Sequence, residues 1–214
     1  MSIVAVICSG ESSSDAGCLG DDCQHDEVWF VNWSASHVEK FTECRGTKRF
    51  LFQKLDENLI AEITDLWERF VPDSPLNLVT PVEITQQMEL PSNLSIINPW
   101  LTVISGGRKV DAAPFADSML RGRKGLLLTS GVLALLTLQE LGLDRIEVYG
   151  LDFYVGESDT SRGYGEQKHD LSFDLTGLRW GLKTSAADIC AVTSNRDIWT
   201  SLSTEFDHVS AIIV

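Results

Sequence analysis

The sequence predicts an α/β fold: a single Rossmann-like domain over residues 1–214, with a mainly parallel sheet and helices on both faces. Three observations lead there. Residues 3–8 (IVAVIC) are a continuous apolar run, mostly β-branched or small, that stops at Ser9-Gly10. That is the pattern of a parallel strand covered on both faces. Strand-like runs then alternate with helix-period segments. No linker or repeat divides the chain, and 214 residues suit one buried core.

The elements follow in order. After the first strand, a loop rich in Ser, Gly and Asp runs to about residue 26, and EVWFVNW (27–33) reads as a second strand. RFLFQK (49–54) reads as a third. Residues 55–70 carry the clearest helical stripe, with Leu55, Leu59, Ile60, Ile63, Leu66, Trp67 and Phe70 on one face and acids and arginine opposite. Pro72 and Pro75 end it. Residues 71–125 are the least legible part, with short apolar pieces (LNLVT, WLTVIS) broken by Pro and Gly. A helix opening at Thr129-Ser130-Gly131 returns as a strand over 145–150. A Gly-, Ser- and Asp-rich loop (155–168) follows, read as a mobile lid, then a helix from about 172 to 183. A further helix is expected from Ser194, with Asp197 three residues on as in a capping box. The apolar run HVSAIIV closes the chain as a strand.

Composition excludes several classes. The formal charge is −14, whereas a nucleic-acid surface needs clustered Lys and Arg, so no nucleic-acid partner is expected. The one basic cluster, RGRKG at 121–125, fits a solvated loop as well as a functional one. The longest apolar run, 132–143, is interrupted by Thr137, Gln139 and Glu140 and falls short of the roughly 20 residues a membrane span needs, so no transmembrane segment is expected. The first residues lack the basic start of a secretion signal. Five scattered cysteines, an odd number, fit an intracellular, cytoplasmic chain, with Cys8 a small buried hydrophobe. Cys18, Cys23 and His25 lie close together, but no second ligand pair has zinc spacing.

In open parallel sheets, ligands sit outside the carboxyl ends of the strands. Ser9–Ser14, Asn32 and Asp152–Tyr154 are expected there, and Thr129-Ser130-Gly131 opens a helix whose amino end favours an anion. The same three residues also fit a plain cap on a core helix. His169, between the loop and the next helix, suits a general base, or is a solvent-exposed loop residue. His25, His37 and His208 lack such a setting and are read as surface or edge residues. Tyr154 and Tyr164 flank the loop, and their hydroxyls can bond a phosphate without adding charge. No Gly-x-Gly-x-x-Gly follows the first strand, which disfavours a Rossmann-type dehydrogenase.

TSGVLALLTLQELGLDRIEVYGLDFY, residues 129–154, closely resembles a segment of the bacterial sialyltransferases of glycosyltransferase family 42: Thr-Ser-Gly, an apolar helix, then Gly-hydrophobic-Asp-Phe-Tyr. HDLSFDLTGL is similar to that family's catalytic His followed five residues later by Asp and a hydrophobic helix, placing His169, Asp174 and Leu178 at those positions. EVWFVNW is similar to its second strand, with Asn32 at the donor-contacting Asn. Where the family has roughly Gly-Asn-Gly-Pro-Ser, this chain has Gly10-Glu11-Ser12-Ser13-Ser14, and Leu127 stands at a family Arg. The Tyr154–Tyr164 interval is also longer than in the family.

The resemblance implies a GT-A-like variant of the fold and an inverting, metal-independent transfer of sialic acid, or a related acidic sugar, from a CMP-activated donor to a glycan hydroxyl. It implies no cofactor beyond that donor. His169 would be the general base, and Tyr154 and Tyr164 would bond the departing phosphate. Gly10, Glu11, Ser12, Asn32, Thr129, Ser130, Gly131 and Asp152 would contact the substrate, Asp152 by bracing the loop or binding nucleotide. It also implies a homo-oligomer, and a location at the periphery of the inner membrane through the acceptor. Two alternatives stand beside it: transfer of another nucleotide-activated sugar, and a non-catalytic nucleotide- or glycan-binding module.

Overall fold

The computed structural model describes residues 2–10, 12–13, 24–42, 44, 46–51, 57–70, 76–79, 94–97, 103–105, 108–110, 129–140, 142–153 and 171–214. Ten strands are described: β1 (Ile3–Ile7), β2 (Glu27–Val31), β3 (Thr47–Leu51), β4 (Leu76–Val79), β5 (Leu94–Ile97), β6 (Val103–Ser105), β7 (Arg108–Val110), β8 (Arg145–Tyr149), β9 (Asp188–Thr193) and β10 (Val209–Ile213). Four α-helices accompany them: α1 (Glu57–Phe70), α2 (Ser130–Glu140), α3 (Leu171–Thr184) and α4 (Arg196–Glu205). Asn32–Phe41 is a 3-10 helix. Eight strands form one sheet in the order β10-β9-β8-β1-β2-β3-β4-β5, and every pairing in it is parallel. β6 and β7 pair antiparallel apart from it.

Strand alternation sorts the core into two layers. Val4 and Val6 face one side with Trp29, Val31, Ile146, Val148, Ile189 and Ala191, under α2, α3 and α4. Ala5 and Ile7 face the other with Val28, Phe30 and Phe50, under the 3-10 helix and α1. Helices thus lie on both faces, as expected. Residues 132–136 and Leu138 of α2 are all buried, so this helix is apolar around its circumference because it is enclosed: sheet below, α3 beside it. Each buried leucine there contributes roughly 1.5–3 kcal/mol. The crossing with α3 is close. A Cβ on Gly181 would stand 2.0 Å from Gln139 Oε1 and 2.3 Å from Leu136 Cδ2.

Several boundaries shift from the sequence reading. β2 stops at Val31, and residue 32 opens the 3-10 helix instead of extending the strand. The turn is set by Ser34, whose Oγ accepts from Val31 N (2.7 Å) and donates to Ile7 O (2.6 Å), tying it to β1. Asn195, not Ser194, caps α4, its side chain accepting from Ile198 N. The stripe on α1 holds at Ile63 and Trp67, which are buried. Two side chains depart further. His25 is not a surface residue: it is 8% exposed, and its Nε2 lies 3.0 Å from Glu147 Oε2. Its partner is 122 residues away, so nothing local announced the burial. Cys44 is disulfide-bonded, whereas Cys8 and Cys190 are free thiols. Cys8 is buried as read, and burial, with the Asp152 charge second, pushes its thiol far above the usual range, which makes it inert.

Candidate functional site at the carboxyl edge

The strand order reverses at β1, whose neighbours are β2 on one side and β8 on the other. In open parallel α/β sheets such a reversal point, outside the carboxyl ends of the strands, is where ligands bind. The chain after β1 (Cys8–Gly10, Ser12), after β2 (Asn32), after β8 (Gly150–Phe153) and after β9 (Ser194, Asn195) all reaches this edge, as does the amino end of α2.

Between β1 and β8 the crevice is closed by the protein itself. Gly10 N donates to Gly150 O (2.9 Å). A Cβ on Gly10 would lie 2.4 Å from that carbonyl oxygen and 2.5 Å from Asp152 Oδ2. Asp152 is 3% exposed. Its Oδ1 accepts from Ser12 Oγ (2.6 Å), Thr193 Oγ1 (2.8 Å) and Ser194 N (3.0 Å), and its Oδ2 from Ser12 N (3.0 Å). A carboxylate has about four accepting positions, so these bonds use nearly all of them. Ser12 Oγ also lies 3.2 Å from Val192 O, but its one proton favours the shorter, charge-assisted bond.

The backbone beside Asp152 is held as firmly. Asn195 Nδ2 donates to Asp152 O, and Trp199 Nε1 donates to Leu151 O, each at 3.0 Å. The next residue, Phe153, has φ 49°, a conformation that costs a bulky residue about 1–3 kcal/mol. Its buried ring stands 6.0 Å from that of Trp199. Asn32, at φ 53°, is the other non-glycine residue with positive φ among the described residues. Both lie on this edge.

On the β2 side, Asn32 Nδ2 donates to Ser130 Oγ (2.9 Å), so the second strand and the Thr-Ser-Gly segment meet. Ser130 is buried and Asn32 half-buried. Thr129 N donates to Asp174 Oδ1 on α3 (2.9 Å), and Asp174 is fully buried. An acidic side chain therefore already stands at the amino end of α2, where the sequence pointed to a cradle for an external anion. Thr129 Oγ1 is buried and has no hydrogen-bond partner among the described residues. Gly131 answers to packing: a Cβ there would lie 2.8 Å from Leu151 Cδ1 and 3.0 Å from Cys8 Sγ.

Of the expected site residues, Gly10, Ser12, Asn32, Thr129, Ser130, Gly131 and Asp152 thus share the edge: Gly10, Ser12 and Asp152 group between β1 and β8, Asn32, Thr129 and Ser130 between β2 and α2, and Gly131 packs against Leu151 and Cys8. Glu11, Tyr154, Tyr164 and His169, and the loop 155–168, lie outside the described residues. Sequence reasoning missed Thr193 and Asn195, which complete the Asp152 cluster; Asn195 had a local signal, as a good capping residue three before Ile198. No family model matches the chain, and no curated protein or solved structure matches it significantly.

Proposed function

We propose that the protein is a glycosyltransferase that moves a sialic acid, or a related acidic sugar, from a CMP-activated donor to a glycan hydroxyl, with inversion and without a metal. The observation that carries this reading is the Asn32–Ser130 hydrogen bond (2.9 Å). It joins two of the segments that resemble the bacterial sialyltransferases, far apart in sequence, at the edge where a nucleotide-sugar would bind. In this reading Asn32 and Ser130 orient the donor, Tyr154 and Tyr164 bond the leaving phosphate, and His169 takes the acceptor's proton. The chemistry needs a base and a stabilised leaving group, both of which these side chains supply.

The Asp174 contact to Thr129 N favours a second reading, transfer of a different nucleotide-activated sugar. An acid at the amino end of α2 opposes a donor carboxylate there and suits an uncharged sugar hydroxyl on Ser130. The test is a screen of CMP-linked sugars read by CMP release, alongside thermal shift with CMP, CDP and UDP. The primary reading expects CMP to bind and CMP-sialic acid to be hydrolysed slowly, with hydrolysis lost in His169→Ala while CMP binding stays. Preference for UDP would sink it; binding without turnover of any donor would leave a non-catalytic module.

A further inference from the structure

The geometry points to Asp152 as a positioning residue: through Ser12, Thr193 and Ser194 it locks the loop after β1 and the turn before α4 onto the end of β8, and so holds Phe153 in its left-handed conformation. This rests on the reading that the carboxyl edge is the ligand site. Its role there is to shape the edge, since nearly all of its accepting capacity is spent inside the protein. Oδ1 receives three donors and Oδ2 one, and Oδ2 lies against Gly10, where not even a methyl group fits. Among the described residues it makes no ion pair, and its four hydrogen bonds offset its burial.

The same carboxylate explains why a strained residue persists next to it. A positive φ at Phe153 survives only if its surroundings over-determine it. The carbonyls of Leu151 and Asp152 are held by Trp199 and Asn195, both anchored in the turn and helix that Asp152 secures through Ser194 N and Thr193 Oγ1. Thr193 Oγ1 in turn accepts from Asn195 N (3.0 Å). Asp152 is thus the common node of three loops, and it sets the direction in which the chain leaves β8.

The test compares Asp152→Asn with Thr193→Val in the full-length chain. The threonine is no candidate ligand group, and its variant keeps the side-chain shape. Three quantities are read: Tm, the Trp199 indole N–H resonance (assigned with Trp199→Phe), and CMP affinity well below Tm. A positioning role predicts that Asp152→Asn lowers Tm by more than about 5 °C and Thr193→Val by about 2–4 °C. Both variants should move the Trp199 resonance in the same direction, and both should weaken CMP, the aspartate variant more. Loss of CMP binding in Asp152→Asn with Tm and resonance unchanged would make Asp152 a direct ligand group and overturn the proposal. So would full CMP affinity in both variants, which would leave it merely structural. If Asp152→Asn does not fold, the valine variant decides alone. If the wild-type protein does not bind CMP, the transferase reading falls, and the Trp199 resonance still decides whether Asp152 sets the edge.

Discussion

Two glycines at the carboxyl edge look equivalent in sequence, each small and each beside a candidate ligand group, yet alanine should affect them very differently. At Gly10 a new Cβ would meet Gly150 O at 2.4 Å, Asp152 Oδ2 at 2.5 Å and Asp152 Cγ at 2.9 Å. One obstacle is backbone and the other is a carboxylate held by four hydrogen bonds, so neither can step aside. Relief requires the loops after β1 and β8 to separate. That costs about 1–3 kcal/mol in overpacking, and about 1.5–3 kcal/mol more for a weakened bond to the charged Asp152. The lower entropy of the unfolded alanine chain returns about 0.4–1 kcal/mol. The net loss is about 3–4 kcal/mol, or on the order of 10 °C in Tm for a chain of this size.

At Gly131 the nearest atoms are Leu151 Cδ1 at 2.8 Å and Cys8 Sγ at 3.0 Å, both side-chain ends that can move by a few tenths of an ångström. Alanine also gains up to about 0.8–1 kcal/mol in helix propensity, so the two effects nearly cancel and stability should change by less than about 1 kcal/mol. Differential scanning calorimetry of Gly10→Ala and Gly131→Ala gives the comparison. If Gly10→Ala is tolerated within about 1 kcal/mol, or if Gly131→Ala is the worse of the two, the closed crevice between β1 and β8 is wrong.

Three further outcomes follow from other parts of the molecule. Among the described residues neither amide atom of Gln139, both buried, has a hydrogen-bond partner, so Gln139→Met, of similar volume, should raise stability by about 1–2 kcal/mol in chemical denaturation; a loss would show that the amide finds a partner in solution. Glu147 accepts from His25, Tyr149 and Arg145, and the His25 hydrogen bond, first among its causes, holds its carboxyl below the usual 4.5. A lowered carboxyl pKa contributes stability that is complete above the ordinary value and is lost as pH falls through the folded one, so the Tm gap between wild type and Glu147→Gln should close as pH falls below about 4.5; a gap that widens below that pH contradicts this. Reductant should lower Tm by on the order of 10 °C, because Cys44 is disulfide-bonded and loss of such a bond costs about 2–5 kcal/mol; equal Tm with and without reductant, with Cys44 alkylated in unreduced protein, would refute it.

The parallel sheet was legible because buried strands have to be continuous apolar runs. Residues 3–8 need no knowledge of their partners to be recognised, and α2 was legible as core for the same reason, whereas 145–149 (RIEVY) alternates, with half-buried Glu147 between buried Ile146 and Val148. What periodicity could not supply was the polar interior. Asp152, Thr193 and Asn195 cooperate across 41 to 43 residues, and Glu147 reaches His25 across 122. Local patterns carry no trace of such pairings. The 3-10 helix after β2 was missed for a related reason: its start depends on a serine hydroxyl bonding to a neighbouring strand, whereas EVWFVNW by itself looks like uninterrupted strand.

Burial also separates the two groups at the carboxyl edge by what each can still do. Asp152 has nearly all of its accepting capacity used within the fold, and a Cβ at Gly10 or Gly150 would have no room between the ends of β1 and β8. The Asn32–Ser130 pair is less complete. Because Nδ2 donates to Ser130 Oγ, neither the serine proton nor Asn32 Oδ1 is used in that bond, and Asn32 is only half-buried. A donor and an acceptor without other partners among the described residues, next to the acid at the end of α2, match an uncharged polar group better than a phosphate. A ligand at this edge is therefore expected to place a hydroxyl or amide on the β2 side, and Asn32→Ala and Ser130→Ala should each weaken it about tenfold, the net worth of one such hydrogen bond. Titration of CMP and of free cytidine measures this: an equal proportional loss for both places the uncharged nucleoside at Asn32 and Ser130, whereas a loss confined to CMP would put its phosphate there and refute the assignment.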